Sequence, residues 1–509
     1  MSLFVDALTD LQPSAVEVVD LPVGEWLPDL PKVNNPGALE ALNVLPLNGV
    51  YVPLPTHEGQ VNGALPDICR GAVAVTLTSG ITQLYAGTVN GLYTRLAGAP
   101  FVLIQAEAVS QDYAWQFIQF KTLMVALHQD IFPLKSVVGT TGAPAAVGGS
   151  PPRAACGAMV GDFLVLGNLL DDPDDAHAVA PNRIRWSGIK NIDANWVTDP
   201  ATQADYNDMP PEGGAVIAIA GRTNMVVFQE RKISFGRYVN LPSVWDIEVV
   251  EDDVGCLARD SVVSYGAYKF FLANDGFRVW NGTNSALIGN GKVDKYFFNR
   301  LAYGRRGRIV GAVDSVNNCI VWAFPTSSDG TLNEVIIYSI HDNRWSHSIQ
   351  TLEYLLSSAV STTTTEDLAG TVDDYPTSYV DDPSYVAGGR RMLAAFNLLH
   401  TYGLYTGPSM AATVDTAEFS GPYGQRVLAN LARPLIDLNQ PLASIQPLTR
   451  GEIEGESLVP GIAVPQEIDG NCPILSEGRF MRFRTTVPAG ATWTNMRGVS
   501  ITRKAGGKY

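Results

Sequence analysis

The sequence lacks several features that characterise membrane proteins and nucleic-acid-binding proteins. Charged residues make up only 17% of the chain, and 51 Asp and Glu residues outnumber 35 Lys and Arg residues, which gives a net charge of −16. This excess of negative charge opposes binding to nucleic acid and to anionic lipid unless basic side chains gather at one place. The sequence has no run of about 18 apolar residues, the length that a transmembrane helix needs. The first ten residues contain neither a basic nor an apolar segment, so we expect no signal peptide.

Cysteine is scarce, and its spacing argues against the common cysteine-based sites. The five cysteines form no CxxC motif, and their number is odd. Such a pattern is not typical of a disulfide scaffold or of a structural zinc site. We therefore expect buried, unpaired thiols in a protein that folds in a reducing cytoplasm. These residues are Cys69, Cys156, Cys256, Cys319 and Cys472.

The sequence also lacks the motifs of several enzyme classes. The phosphate-binding loop, the dinucleotide-binding fingerprint, the HExxH zinc motif and the GxSxG nucleophile motif are all missing. His341 and His347 are close together in the sequence, but a metal site also needs carboxylate or thiolate partners. The acidic run Asp171–Asp175 is a candidate for calcium, yet it lacks the alternating spacing of a helix-loop-helix calcium loop. We therefore predict no catalytic residue, no metal site and no cofactor.

Paired carboxylates, which glycan-cleaving propeller enzymes use, provide an alternative. Adjacent pairs occur at Asp252-Asp253, Asp373-Asp374 and Asp381-Asp382, each in a predicted loop. The repeated Asp box of sialidases is missing. A propeller-fold protein that binds or hydrolyses glycans therefore stays an alternative, and Glu248, Asp252 and Asp253 are the residues on which it would be tested.

Turn-forming residues between short apolar runs are abundant. The chain contains 48 glycines and 32 prolines, which favours many short strands over long helices. The clearest unit, Val254–Phe298, has strand-like runs at Ser261–Ser264, Lys269–Ala273 and Phe277–Trp280. Asn274-Asp275-Gly276 supplies a tight turn between the second and third runs, because Asn and Gly tolerate positive φ. This unit predicts a small antiparallel sheet.

Similar units recur along the chain with a period of about 40 residues. The segment Asn90–Arg95, for example, repeats the pattern of a turn and an aromatic-bearing strand that Asp275–Trp280 shows. We count six such units between residues 70 and 350, which predicts a mainly all-β fold with a β-propeller of about six blades. A strand from one end of the chain would change this number by one if it completed a blade begun at the other end.

Three further regions flank the predicted propeller at 70–350. Residues 1–69 are rich in proline and predict an extended N-terminal arm with platform strands. Residues 351–430 predict an insertion with a long Thr- and Asp-rich loop and a short helix at Arg390–Thr401, where apolar residues fall near helical spacing. Residues 431–509 predict an extended segment followed by β-strands that return to the propeller or platform.

Basic residues are clustered in only a few places. For the small clusters Arg305-Arg306-Arg308, Arg390-Arg391 and Arg503-Lys504 we expect solvated loops. The segment Arg479–Arg484 alternates cations and hydrophobes, which is typical of a half-exposed strand.

Three clusters of short motifs are spread over nearly the whole chain. The first motif cluster is Gly24–Asp29, followed by Asn35–Gly37 and Asn43–Pro46. The second is Gly255-Cys256, Asn274–Phe277, Ile288-Gly289 and Val293-Asp294. The third is Gly478–Arg484 with Trp493 and Gly498-Val499. In order and spacing, this set resembles the tail nozzle or tail-hub proteins of short-tailed bacteriophages.

The resemblance implies a structural virion protein of the tail that is not an enzyme. Such proteins form a ring, usually sixfold, below the portal and adaptor rings, and they contact tail fibres or other tail proteins. The channel of the ring retains the packaged double-stranded DNA and later passes it without sequence-specific contacts. An acidic lumen would let the duplex slide. The tip or gate would lie in 351–430, and assembly would take place in the host cytoplasm.

The function implied by the resemblance is geometric, so it assigns no role to individual residues. Under this resemblance, the glycan-binding or glycan-hydrolysing alternative would be a propeller-fold tail component. A cellular propeller scaffold, which would be absent from virions, is a further alternative.

Overall fold

The computed structural model describes residues 17–31, 35–77, 80–359, 391–421, 425–451 and 458–505. Nearly all regular structure in these residues is β-strand, and their one α-helix, Asp294–Arg300, has seven residues. The 3₁₀ helices are Pro173–Asp175, Pro211–Gly213, Arg259–Ser261 and Tyr303–Arg308. No helix in this described part of the chain is long and apolar enough to cross a membrane. The predicted mainly all-β class is confirmed.

Six four-stranded antiparallel units, which we call blades 1 to 6, follow one another through the described residues from 71 to 352. Blade 1 contains Gly71–Thr76, Thr82–Gly87, Gly91–Leu96 and Val102–Ala106; blade 2 contains Gln116–Phe120, Leu123–His128, Ile131–Val137 and Ala145–Ala146; blade 3 contains Arg153–Val160, Phe163–Asp172, Ala178–Trp186 and Asp205–Asp208. Blade 4 contains Val216–Gly221, Met225–Gln229, Lys232–Asn240 and Val244–Asp252; blade 5 contains Val263–Tyr265, Tyr268–Ala273, Gly276–Trp280 and Ser285–Leu287; blade 6 contains Val310–Asp314, Cys319–Pro325, Leu332–Ser339 and Arg344–Leu352. In each blade the strands pair in chain order.

A further unit, blade 7, closes the ring with strands from two distant parts of the chain. Its strands, in pairing order, are Tyr354–Ala359, Arg391–Phe396, Thr401–Ser409 and Pro55–Ala64. The first of these strands contacts the first strand of blade 1. Leu356 of blade 7 and Leu84 of blade 1 lie in the same buried core. A strand that precedes blade 1 in the chain therefore completes the last blade.

Small residues in the first strands allow the blades to approach one another near the axis. The first strands of blades 1, 3, 4 and 6 read GAVAVT, RAACGAMV, VIAIAG and VGAVD. A Cβ atom at Gly157 of blade 3 would lie 2.9 Å from the side chain of Ile118 in blade 2. A Cβ atom at Gly311 of blade 6 would lie 2.4 Å from the side chain of Val263 in blade 5. A Cβ at either position would therefore force neighbouring side chains to shift where these blades converge.

The number of blades was predicted correctly for residues 70–350, and the structure adds one more for the described chain as a whole. Pro55–Ala64, which the prediction placed in the N-terminal arm 1–69, is the outermost strand of blade 7. Residues 391–409, which it placed in the insertion 351–430, form two other strands of that blade. The Thr- and Asp-rich loop, and with it the proposed tip or gate, falls mainly on 360–390, outside the described residues.

The helix predicted at Arg390–Thr401 is wrong. Arg391–Phe396 is a strand that pairs with Tyr354–Ala359, and residues 397–400 form the turn to the next strand. Met392 to Phe396 are all buried. A short, wholly buried apolar run fits a central strand as well as a helix, so its periodicity cannot distinguish the two.

A second region, which we call the C-terminal β-unit, adjoins blade 6. The last strand of blade 6 pairs in parallel with Ala41–Leu42, and the sheet continues into this unit. The continuation consists of Ala41–Leu42, Ala412–Asp415, Phe480–Val487, Ser444–Arg450 and Val459–Pro460, with Phe419–Ser420 and Val464–Pro465 paired to it. The other sheet of the unit contains Glu17–Pro22, Val44–Leu47, Val50–Pro53, Trp493–Ala505, Val427–Leu438 and Ser476–Gly478. The two sheets share one buried core, to which Phe483 and Ile501 belong.

The strand predicted around Arg479–Arg484 is present, and its predicted half-exposure holds for Arg479, which is exposed, and Arg484, which is half-buried, but it is wrong for Arg482. Arg482 is completely buried. Its guanidinium donates hydrogen bonds to the carbonyl oxygens of Gly37, at 3.3 Å, and Thr416, at 3.0 Å. The alternating cation is therefore a buried link between the third motif cluster and the first.

Candidate functional site

The three motif clusters meet where the N-terminal segment crosses blades 5 and 6. Trp26, Phe277 and Trp493, one from each cluster, lie in the same buried core. Trp26 packs edge-on against Tyr296, with ring centroids 5.0 Å apart, and stacks on His347 at 4.6 Å. Aromatic contacts of this kind stabilise the folded state by more than the burial of their apolar surface alone would. The clusters therefore fasten the N-terminal segment to the propeller and to the C-terminal β-unit.

Polar contacts fix the same crossing at the start of the α-helix. The carboxylate of Asp29 accepts hydrogen bonds from the backbone N–H groups of Lys295, at 2.8 Å, and Tyr296, at 2.7 Å. These are two of the helical N–H groups that have no partner within the helix. Lys292 forms an ion pair with Glu25 at 2.7 Å. The first motif cluster thus caps a helix that lies over 260 residues away in the chain.

His347 belongs to a buried polar network at this crossing. The network consists of Glu40, Tyr296, Arg300, Glu334 and His347. His347 Nε2 lies 2.5 Å from Glu40 Oε1, and buried Glu334 accepts hydrogen bonds from Tyr296 and Arg300. His341 lies in an exposed turn and does not join it. Across the described ranges, no group of three His, Cys, Asp or Glu side chains is arranged to hold a metal ion.

The acidic run of blade 3, considered as a calcium candidate, is bound to arginine. Asp172 is completely buried and lies 3.0 Å from Nη2 of Arg185. Arg183 reaches Asp175 at 2.8 Å and Asp208 at 2.7 Å. Buried carboxylates need partners of this kind, because an unpaired charge is costly away from water. The run therefore holds a blade together through ion pairs.

Of the carboxylates named for the glycan-hydrolysis alternative, Asp373-Asp374 and Asp381-Asp382 lie outside the described residues, and Glu248 and Asp252 do not converge. Glu248 and Asp252 lie on the last strand of blade 4, four positions apart, which corresponds to roughly 13 Å along a strand. Glycosidase carboxylates stand about 5 to 9.5 Å apart. Glu248 lies 3.2 Å from Arg237, and Asp252 is paired with Lys232. The arrangement gives no support to a glycosidase site at these residues.

All five cysteines lie within the described residues, and each is buried without a disulfide. Burial raises the pKa of Cys69, Cys156 and Cys256 to about 12. Such thiols stay protonated and unreactive at neutral pH. The predicted buried, unpaired thiols are confirmed.

One arginine links three blades at the axis. Arg259, in the turn that leads into blade 5, donates to the carbonyl oxygens of Ala155, at 3.0 Å, and Ala114, at 3.0 Å. Its guanidinium also binds both carboxylate oxygens of Asp260, at 2.7 Å and 2.8 Å. Burial opposes its charge, but Asp260 holds the pKa of Arg259 above the ordinary value. This side chain also lines a cavity of about 410 Å³ along the axis, bordered by first strands of blades 2, 3, 4 and 6.

A second cavity, of about 390 Å³, lies beside the axis where the chain leads into blades 1, 2 and 6. We call it the arginine cavity. Its lining residues are Arg70, Gln111, Asp112, Gly304, Arg305, Gly307, Arg308, Asp329 and Gly330. Arg305 and Arg306 are exposed, as predicted, but they lie in the 3₁₀ helix Tyr303–Arg308 and not in the predicted loop. Arg308 is half-buried in the cavity wall.

The arginine cavity could not be predicted from the sequence. Its basic side chains come from positions 70 and 305–308, and only the second of these is a cluster. Arg503 and Lys504, for which a loop was predicted, lie in a strand, where Arg503 pairs with Glu17 at 2.9 Å. Clustering in sequence was therefore a poor guide to the location of positive charge.

Comparisons with known proteins do not place the chain in a family. No protein-family model matches the chain, and no curated protein matches its sequence significantly. Among solved structures it is similar to BBS1N in complex with ARL6DN, at 10% identity over 69% of this chain and 96% of that one, with a TM-score of 0.39. It is also similar to the computationally designed Ika8 protein, at 12% identity over 72% of this chain and 96% of that one, with a TM-score of 0.33. The extracellular domain of the putative one component system BT4673 from B. thetaiotaomicron has 9% identity over 79% of this chain and 47% of that one, with a TM-score of 0.38. These similarities are distant, and the propeller fold is established by the strand pairing itself.

Proposed function

We propose that the chain is a structural subunit of the tail nozzle or tail hub of a short-tailed bacteriophage. Copies of the chain, usually six, form a ring below the portal and adaptor rings. The channel of this ring retains packaged double-stranded DNA and then passes it during ejection. The resemblance of the three motif clusters supports the proposal, and the structure assigns those clusters to buried contacts of the kind that hold a large scaffold rigid.

The observation that carries the proposal is a concentration of exposed apolar side chains in the C-terminal β-unit. Among the described residues between 442 and 475, the five large ones are Leu442, Val459, Ile462, Ile468 and Leu475, with exposures of 47%, 58%, 84%, 97% and 82%. Apolar surface of this kind is costly in water and marks protein–protein contacts. A subunit that closes a ring needs apolar surface of this kind together with a different, complementary surface on its neighbour. We assign the described residues of this range, 442–451 and 458–475, to the contact with the next subunit.

The charge of the chain is consistent with this role. A net charge of −16 discourages tight contact with the DNA backbone, because like charges repel. A channel built from such subunits lets DNA move without sequence-specific contacts. The adaptor and tail fibre proteins are proposed as further partners on the outer faces of the ring.

Electron microscopy and light scattering of the purified protein, alone and with portal–adaptor complexes, test the proposal. We expect closed rings with a central channel, and we expect the protein among the components of purified virions by mass spectrometry. A protein that stays monomeric in both samples contradicts the proposal, as does its absence from virions, which would favour a cellular scaffold.

Two variants test whether ring formation depends on the proposed contact or on any exposed apolar side chain. Ile462→Asp combined with Ile468→Asp should convert rings to monomers without lowering the melting temperature of the monomer. Leu399→Asp is the matched control, because Leu399 is 77% exposed but lies in the turn of blade 7. Rings that persist in the double variant, or that are lost equally in the control, contradict the assignment of 442–451 and 458–475.

A further inference from the structure

The arginine cavity brings together positive side chains from two distant parts of the chain. Arg70 directly precedes the first strand of blade 1, whereas Arg305 and Arg308 lie in the 3₁₀ helix that leads into blade 6. Ring closure through blade 7 places these two segments side by side. The cavity therefore gathers positive side chains in a chain whose net charge is −16.

The two inner arginines lack partners for part of their hydrogen-bonding capacity. The Nε atoms of Arg70 and Arg308 are both buried, and neither has a hydrogen-bond partner among the described residues. Arg308 makes one contact through Nη2, at 3.3 Å from the backbone oxygen of Glu353. Buried donors without acceptors cost free energy, and buried guanidinium groups cost more. Both guanidinium groups are therefore short of acceptors among the described residues.

The pKa shifts of the Arg70 and Arg308 guanidinium groups also favour a bound anion. Burial and then the positive charge of Arg70 lower the pKa of Arg308 to about 10. Burial also lowers the pKa of Arg70, although the carboxylate of Glu353 opposes this effect. Two like charges held close together in a partly buried site favour an anion between them.

The carboxylates around the cavity are already engaged. Glu353 accepts from the backbone N–H of Cys69 at 2.9 Å and contacts Nδ1 of His400 at 2.5 Å. Asp329 accepts from its own turn, including the backbone N–H of Thr331 at 3.0 Å. The other acid that lines the cavity is Asp112, whose ion pair with Arg305 is long, at 3.5 Å, and exposed on both sides. Among the described residues no carboxylate forms an ion pair with Arg70 or Arg308, although the charges of Glu353 and Asp67 act on Arg70 from farther away.

The wall of the cavity leaves room for a small anion. Gly304 and Gly307 have no atom within 4 Å of the position that a Cβ would occupy, so the backbone there faces open space. The volume of about 390 Å³ falls within the range of roughly 300 to 1,000 Å³ that small-molecule sites occupy. The planar guanidinium fork matches the spacing of phosphate oxygens and binds them through two parallel hydrogen bonds.

We propose that the arginine cavity binds a phosphate group, which Arg70 and Arg308 contact directly and Arg305 contacts from the rim. The group is a free phosphate or phosphate monoester, or the phosphodiester of a nucleic acid strand that reaches the cavity. Asp112 limits the affinity by its negative charge. The site lies within one chain, so phosphate binding does not depend on ring assembly. A failure of the ring proposal would therefore not contradict the phosphate proposal.

Calorimetric titration with inorganic phosphate, at an ionic strength held constant with chloride, tests the proposal. We expect one saturable site per chain in the natural protein. Arg308→Gln and Arg70→Gln should each weaken binding by about tenfold or more, because each removes a charged hydrogen-bond donor. Asp112→Asn should tighten binding a few-fold. Arg237→Gln is the control, because Arg237 is 60% exposed and lies in blade 4, and it should leave binding unchanged.

The melting temperature in phosphate and in chloride provides a second measurement. An arginine with only a structural role would not make the melting temperature depend on phosphate. Phosphate should raise the melting temperature of the natural protein relative to chloride, and this rise should disappear in Arg308→Gln. In chloride alone the variant should melt at or above the temperature of the natural protein, since the substitution removes a like-charge repulsion.

A short DNA duplex, added in competition with phosphate, identifies the source of the group. Displacement of phosphate by the duplex assigns the site to nucleic acid phosphodiesters, and no displacement assigns it to small phosphates. The absence of saturable phosphate binding overturns the proposal, as does binding that survives both Arg308→Gln and Arg70→Gln unchanged.

Discussion

A Cβ atom on Gly276 would lie 2.2 Å from the carboxylate oxygen Oδ2 of Asp294. The other oxygen of Asp294 accepts a hydrogen bond, 3.1 Å long, from the backbone N–H of Phe277, the residue that follows this glycine. A Cβ on Gly289 would meet the same carboxylate at 2.1 Å. The buried acid therefore ties the turn of blade 5 to the segment before the α-helix, and two glycines make the necessary space.

Replacing Gly276 should severely destabilise the protein. Its φ of +143° is unfavourable for a residue with a Cβ. In Gly276→Val this strain of about 1 to 3 kcal/mol adds to the clash with Asp294, so we expect loss of soluble protein or a much lower melting temperature. Gly142→Ala is the matched control, because a Cβ there has no neighbour within 4 Å. A Gly276→Val protein that melts like the control would contradict this account of the turn.

Asp294 should make the stability of the protein depend on pH. Burial raises the pKa of Asp294 from 3.8 to about 7; the charges of Asp29 and Asp275 add to this, whereas the hydrogen bond from Phe277 and the charge of Arg278 oppose it. The folded state thus holds the proton more tightly than the unfolded chain. This contribution is complete below pH 4 and is lost as the pH rises through about 7. The loss is on the order of 1 to 4 kcal/mol, since one pKa unit corresponds to about 1.4 kcal/mol.

The substitution Asp294→Asn tests this dependence, because the amide oxygen still accepts from Phe277 but the group no longer ionises. We expect the variant to be more stable than the natural protein at pH 8 and to lose this advantage at pH 4. Melting temperatures of both proteins at the two pH values provide the measurement. An equal difference at both values would show that the carboxyl does not titrate in this range.

Removing Arg259 should loosen the contact between blades 2, 3 and 5. Arg259→Met deprives Asp260 of its partner and two backbone carbonyls of a donor, and breaking a buried pair in this way costs about 3 to 5 kcal/mol. Arg237→Met, which breaks an exposed pair with Glu248, should cost about 1 kcal/mol or less. Denaturant unfolding of the two variants compares the costs. If both lose the same stability, the axial arginine does not link the blades energetically.

Removing the carboxylate of Asp29 should release the N-terminal segment from the α-helix. Asp29→Ala leaves the N–H groups of Lys295 and Tyr296 without this acceptor, and the loss of such a cap costs about 0.5 to 2 kcal/mol. Hydrogen exchange should become faster at the start of the helix and around Trp26. Asp20→Ala, at an exposed strand position, should change neither rate. Unchanged exchange in Asp29→Ala would mean that the aromatic packing of Trp26 alone fixes the segment.

Local features of the sequence were sufficient to predict much of the propeller. The turn at Asn274–Gly276 and its two flanking strands were placed to within one residue, because positive φ at glycine and short apolar runs are properties of the chain itself. The same reasoning failed at Arg391–Phe396, where every residue but the first is buried. Such a run carries no periodicity from which a strand could be told apart from a helix.

The sequence by itself determined the all-β class, the six blades between 70 and 350, the buried cysteines and the turns, since these follow from short-range patterns. Only the tertiary structure decided blade 7, because the pairing of Pro55–Ala64 with Thr401–Ser409 joins segments more than 300 residues apart. The same closure decided how far each arginine is exposed: Arg308 resembles its exposed neighbour Arg306 in sequence, yet it is half-buried and lines a cavity together with Arg70. Burial and charge balance depend on which distant segments are brought together, and no local pattern in this chain specifies that.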